Sequence, residues 1–121
     1  DTYMYEGPHI TWTTDGAYAG TVFIRDGKFN CTNVCGALRV SKDSISLRYL
    51  FNYLRAVSKR HVSYIGNPKL MSNVMAKIKI PILQREKQKN YSEFFESVDI
   101  CINELEKKIE KLNFITRFLI K

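Results

Sequence analysis

No stretch of 18 or more apolar residues occurs in this 121-residue chain, so nothing in it points to a membrane-spanning helix. Asp1, Thr2 and Tyr3 supply neither the basic nor the apolar part of a secretory leader, and the cytoplasm is the expected compartment. Cysteine is scarce: Cys31, Cys35 and Cys101 are an odd number without an export signal, which argues against a disulfide framework and for three reduced thiols. The intervals among Cys31, Cys35, His9 and His61 fit no zinc pattern, so no metal site is assigned. Asn30-Cys31-Thr32 and Asn90-Tyr91-Ser92 match glycosylation acceptors in form only, since that signal has meaning in secreted chains. Catalytic signatures are missing too: there is no HExxH, nucleophile elbow or Walker sequence, and neither histidine accompanies a recognisable nucleophile or carboxylate motif. Asp15, Asp26 and Asp43 sit where turns and helix caps want them. A small stand-alone enzyme such as a nuclease therefore has no residue pattern behind it, and no cofactor is expected on this chain.

What is present is an ordinary globular balance, 45% apolar, 26% charged and 12% aromatic, enough for one domain or one domain with an appendage. The charge is unevenly spread. Residues 1–90 hold fourteen Lys and Arg against six acids, a net of +8, whereas residues 91–121 hold five against six, a net of −1. The whole excess of +7 therefore belongs to the first part, which favours a polyanionic partner such as DNA or RNA, the alternative being a merely soluble basic surface.

Residues 9–14, His-Ile-Thr-Trp-Thr-Thr, alternate like a strand and run into the Asp15-Gly16 turn, with Trp12 suited to either core or surface. Residues 20–25 and 28–31 flank Asp26-Gly27, the pattern of a hairpin, and residues 34–40 can extend an antiparallel sheet across Gly36. Leu47, Leu50, Phe51 and Leu54 recur at helical spacing after a cap at Asp43 or Ser44. Residues 61–65 read as a short extended piece before the Gly66-Asn67-Pro68 loop, and Leu70, Met71, Val74 and Met75 as one or two helical turns. Residues 78–82 alternate as a strand that Pro81 confines to an edge.

From Tyr91 on, Tyr91, Phe95, Val98, Ile102, Leu105, Ile109, Leu112, Thr116 and Leu119 fall at steps of four and three, a heptad seam broken only by Thr116. Thirty-one helical residues at about 1.5 Å each extend roughly 46 Å, more than a domain of this size needs, so the seam asks for a second long helix; the alternative is packing on its own domain. The expected fold is α+β: a small, mainly antiparallel or mixed sheet domain with short helices over residues 1–86, then a long coiled-coil helix over residues 87–121.

Residues able to reach phosphates or base edges cluster at the turns. Thr13, Thr14 and Tyr18 flank the first turn; Arg25, Lys28, Asn30 and Asn33 surround the second; Lys59 and Arg60 close the first helix; Asn67, Lys69 and Asn73 surround the Gly-Asn-Pro loop. Each of these types also occurs at turns for local geometry or solubility, so the argument rests on their sum.

Three runs go further. Residues 10–23 (ITWTTDGAYAGTVF), 27–36 (GKFNCTNVCG) and above all 66–82 (GNPKLMSNVMAKIKIPI) resemble the target recognition domain of type I restriction-modification specificity (S) subunits. The Ile80-Pro81-Ile82-Leu83 element, the Arg85-Glu86-Lys87-Gln88 segment and the helix from Tyr91 follow in the order and spacing that family shows. The resemblance implies a non-catalytic protein that reads one half of a split sequence in double-stranded DNA. It also implies methyltransferase (M) and restriction (R) partner subunits that carry S-adenosylmethionine, ATP and Mg. In the family the long helices pair as an antiparallel coiled coil that spaces two recognition domains and docks the methyltransferase, so Tyr91, Phe95, Val98, Ile102, Leu105, Ile109, Leu112 and Leu119 are the expected helix interface, shared with a second half-subunit or a second copy. Where a complete S subunit has two recognition domains, this chain is expected to begin inside one, as a truncated product would, and Leu83-Gln84 replaces the usual Pro-Leu. A remnant that acts only as a coiled-coil interaction module is the competing reading.

Overall fold

Ile10 and Trp12 alternate with β-branched Thr11 and Thr13, a pattern that fits a strand with one face on the core. In the computed structural model, which describes residues 2–120, that strand is the centre of the sheet. The chain runs β1 (Tyr5–Glu6), β2 (His9–Thr13), β3 (Val22–Arg25), β4 (Lys28–Phe29), β5 (Cys35–Leu38), α1 (Leu47–Val57), a one-turn 3-10 helix (Ser58–His61), α2 (Ser72–Met75) and α3 (Arg85–Leu119). β2 is antiparallel to both neighbours in the order β3-β2-β5, while β1 and β4 form a separate two-residue ladder. The α+β class is as expected.

Trp12 belongs to the core, 4% exposed, together with Ile10, Val22, Leu54, Val62, Leu70 and Met75. Its cross-strand partner on β5 is Gly36, and a Cβ there would lie 2.4 Å from the indole ring. The indole N–H donates to the carbonyl of Leu70 at 2.8 Å, which fastens the sheet to a segment 58 residues away.

Several expectations are corrected. The Asp26-Gly27 turn forms, with Gly27 at φ +74° and its N–H donating to Asp26 Oδ1, but the runs beside it do not pair with each other. β3 is held in register by β2, and β4 is captured by β1, where Tyr5 stacks on Phe29 and the Met4 N–H donates to the Asn30 side chain. Residues 78–82 form no strand: Pro81 has no N–H to offer a ladder, its carbonyl accepts from the Tyr49 hydroxyl at 2.8 Å, and Ile78 and Ile80 pack on the core. The cap of α1 is Ser46, whose Oγ accepts from the Tyr49 N–H: the helix starts at Leu47, and Asp43 and Ser44 lie before its cap, where their carbonyls accept from Arg85 and Gln88 of α3. His61 closes the 3-10 turn, so the extended piece starts beyond it. Cys31 and Cys35 are joined as a disulfide, their Cα atoms brought within 5.3 Å by the turn through Thr32 and Asn33, and Cys101 alone is a free, exposed thiol.

α3 is rooted on α1 over its first four turns. Gln88 is buried and satisfied at both ends: its Oε1 accepts from the Ser46 N–H, and its Nε2 donates to the Ser44 and Leu83 carbonyls. Tyr91 meets the Tyr49 ring edge-on, Arg48 grips Glu96 with two hydrogen bonds of 2.6 Å, and Arg55 pairs with Asp99 at 2.7 Å while lying over Phe51 and Phe95. These contacts advance together along both helices, so α1 and α3 run side by side in the same direction, which an intervening crossover of 27 residues through α2 makes possible. Beyond Asp99 the helix leaves the body, and every described residue from 100 to 120 is exposed.

Two outcomes follow from this packing. Gly36→Ala forces the Trp12 ring off its seat and is expected to cost about 1–3 kcal/mol, read as a lowered midpoint in chemical denaturation. The Arg48 hydrogen bonds, helped by Asn52, hold the Glu96 carboxyl below its ordinary range. A depressed carboxylate stabilises the fold above its unfolded value, near ~4.3, and that stability is lost as pH falls through the lower folded value. Between pH 6 and pH 3 the melting temperature of Glu96→Gln should therefore fall less than that of the parent chain.

Candidate nucleic-acid interface

Two segments far apart in sequence are pinned against each other at one end of the sheet. The Gly16 N–H donates to the Pro68 carbonyl at 2.9 Å, the Leu70 N–H donates to the Thr14 carbonyl at 2.8 Å, and Asp15 bridges Lys69 through the backbone and through a 3.7 Å ion pair. The Ser58 hydroxyl donates to the Gly20 carbonyl at 2.6 Å, and Gly20, at φ +86°, leaves no room for a side chain beside Val62 and Lys59. The loop 14–21, the 3-10 turn and the loop 63–69 thus form one surface. Thr13, Thr14, Tyr18, Lys59, Arg60, Asn67 and Lys69 all belong to it. Thr14 is buried and its hydroxyl donates to Asp15, so it builds the loop rather than faces outward, whereas Tyr18, Lys59, Arg60, Asn67 and Lys69 are exposed.

Arg25, Lys28, Asn30 and Asn33 lie on a second region beyond β3 and β4. There, Thr11, Thr13, Phe23, Arg25, Asn30 and Cys35 line part of a depression of about 370 Å³ on one face of the sheet. The Arg25 guanidinium lies over the Phe23 ring, Lys28 lies over Tyr3, and Asn30 accepts from the Met4 backbone, which orders all three without removing them from solvent. Thr13 is common to both regions: it pairs with Cys35 on β5, and its N–H donates to the Thr21 carbonyl. Asn73 is exposed on the four-residue α2, which packs against the 3-10 turn of the first region.

Four exposed residues were not singled out from the sequence. Lys77 and Lys79 join Arg60 and His61 around a surface depression of about 350 Å³, adding positive charge beside the first region. Their signal was the alternation of lysine with Ile78 and Ile80, which read as a strand. Tyr64 and Ile65, at the tip of the loop 63–69, are 69% and 94% exposed. Among the described residues no group of His, Cys, Asp and Glu is gathered as metal ligands would be.

The helix residues divide by environment. Tyr91 and Phe95 are half-buried against α1 and each other, and Val98 lies at the edge of that contact. Ile102, Leu105, Ile109, Leu112 and Leu119 are exposed along the projecting part, 47% to 79% open to solvent. No helix among the described residues is long and apolar enough to cross a membrane.

A family model of the type I restriction modification DNA specificity domain matches residues 1–113. The chain belongs to this family. Its relatives in Mycoplasma pneumoniae include the specificity subunit of the type I restriction enzyme MpnII, 35% identical over 84% of this chain and 31% of that protein. A chain provisionally assigned there as the N-terminus of a type I specificity subunit is 44% identical over 69% of this chain and 45% of its own length. A third, also provisionally assigned as a type I specificity subunit, is 34% identical over 92% of this chain and 31% of its own. This specificity domain thus spans less than half the length of the relatives it matches.

The close approach at Gly20 is what seats the loop 14–21 of the domain. Gly20→Ala meets both a positive φ and a Val62 methyl at 2.8 Å, so it should destabilise the fold by about 1–3 kcal/mol and speed amide exchange at Val62 and Leu70.

Proposed function

We propose that this domain reads one half of a bipartite sequence in double-stranded DNA for a type I restriction-modification complex and has no catalytic activity of its own. The observation that carries the reading is the union of the loops 14–21 and 63–69 with the cationic 3-10 turn, on a body that holds all of the chain's excess positive charge. Phosphates neutralised by Lys59, Arg60, Lys69, Lys77 and Lys79 would fix register on the duplex, and Tyr18, Asn67 and the residues around Arg25 and Asn30 would meet base edges. Methylation with S-adenosylmethionine and cleavage with ATP and Mg belong in this reading to M and R subunits. The complex would act in the cytoplasm, where the DNA is.

The projecting part of α3 is the surface for protein partners. Residues 102, 105, 109 and 112 share one side of the helix, and burying such side chains against a second long helix contributes on the order of 1.5–3 kcal/mol each. That second helix is contributed by another S half or a second copy, next to the M subunits.

Selection from a random duplex pool across a salt series, with and without the methyltransferase subunit, tests the reading. Enrichment of a short fixed sequence is expected. Lys59→Ala with Arg60→Ala should lower affinity and flatten the dependence of log K on log salt by about 2. Salt-sensitive retention with no enriched sequence under either condition would leave the interaction-module reading. Leu105→Asp with Ile109→Asp should abolish association in light scattering while leaving the melting of the body unchanged, because both side chains are exposed in the chain itself.

A further inference from the structure

Ile65 is the most exposed large apolar residue of the body, 94% open to solvent, and Tyr64 beside it is 69% open. A single exposed apolar side chain is common on folded proteins, so what marks this one is the loop that carries it; a floppy loop would cost entropy to order on any partner. This loop is not floppy. The Ser63 N–H donates to the Lys69 carbonyl at 2.8 Å, the Lys69 N–H donates back to the Ser63 carbonyl at 3.0 Å, and Gly66, at φ +78°, reverses the chain between them. The base of the loop is tied to Gly16 and Thr14 through Pro68 and Leu70, and Leu70 is in turn held by the Trp12 indole. The result is a braced hairpin with an apolar tip.

Charge chooses the partner. Lys59, Arg60 and His61 precede the hairpin, and Lys69 stands at its base, all exposed, with Asn67 and the 75%-exposed Tyr18 alongside. An apolar point set among cations suits a polyanion whose interior is apolar, which is the situation of stacked bases behind phosphates. The two to three residues from base to tip can reach on the order of 7–10 Å at about 3.3 Å each, comparable to the depth of a duplex groove, about 7.5–8.5 Å.

We propose that Ile65, flanked by Tyr64, is a wedge that enters the groove of duplex DNA and unstacks one base step. This rests on the DNA-reading function proposed above and adds a means of selecting sequence to it: steps that unstack easily, pyrimidine followed by purine, are favoured at that position without any hydrogen bond to a base.

The test uses the full chain and duplexes enriched in the selection, with 2-aminopurine placed in turn at each position. Fluorescence should rise at a single step when the parent chain binds. Ile65→Ser should abolish that rise and lower affinity on the order of tenfold, whereas Ile65→Leu should restore both. An unchanged melting temperature of Ile65→Ser is expected, since the side chain makes no core contact, and it separates the wedge from a loss of fold. Undiminished fluorescence and unchanged sequence preference in Ile65→Ser, with binding still reduced by Lys59→Ala and Arg60→Ala, would overturn the wedge and leave the DNA-reading function standing. Binding of the parent chain with no fluorescence rise at any step would overturn it as well. Failure of the parent chain to retain any duplex would overturn the function on which the proposal depends.

Discussion

The hydrogen bond from the Trp12 indole to the Leu70 carbonyl is the joint on which the remaining architecture hangs. Its donor sits on the central strand, locked there by the glycine opposite, and its acceptor ends the hairpin that carries the most exposed apolar tip of the body. A buried indole N–H without a partner would cost the full desolvation of the donor, so the strand and the hairpin are constrained to meet. Once they meet, Thr14, Asp15 and Gly16 fall into backbone contact with residues 68–70, and the loops that carry the candidate DNA residues become one surface.

A second joint fixes the direction of the long helix. Gln88 replaces the backbone partners that the start of α1 lacks, and the Arg48–Glu96 and Arg55–Asp99 pairs extend the contact along both helices. Half-exposed ion pairs add little stability singly, but a two-fold grip between guanidinium and carboxylate is directional and sets the angle at which α3 departs. The apolar seam is thereby divided. Its first members, Tyr91 and Phe95, are covered within the chain, and those from Ile102 onward are presented to solvent. In the proposed function, one rigid piece then relates a DNA-reading body to a protein-docking helix.

Under the two proposals, the basic excess of the body and the braced hairpin act on different quantities. Cations bring a duplex to the surface from any sequence, whereas a stiff apolar tip rewards only sequences that deform cheaply there. Placing the two side by side would let one surface both attract a duplex and discriminate among sequences.

Much of this was legible in the residues. Alternation around Trp12, the 3.6 period of Leu47 to Leu54 and the four-and-three steps after Tyr91 set out the α+β class and most of its elements, because periodicity is a local property, while the runs 10–23, 27–36 and 66–82 carried the family resemblance. Partner choice is not local. Asp26-Gly27 announced a turn, yet which strands lie on either side of it depended on Tyr5 finding Phe29 and on β2 claiming β3. The Ile-Pro segment read as a strand by alternation, but it had no ladder to join and lent a carbonyl to Tyr49 instead. Lys77 and Lys79 acquired meaning only when the crossover laid them beside Arg60, and Ile65 only when its loop proved to be braced and bare. The sequence by itself determined which residues share a face of each helix or strand; only the tertiary structure decided what covers each face, since burial is settled by contacts between segments that no local spacing records.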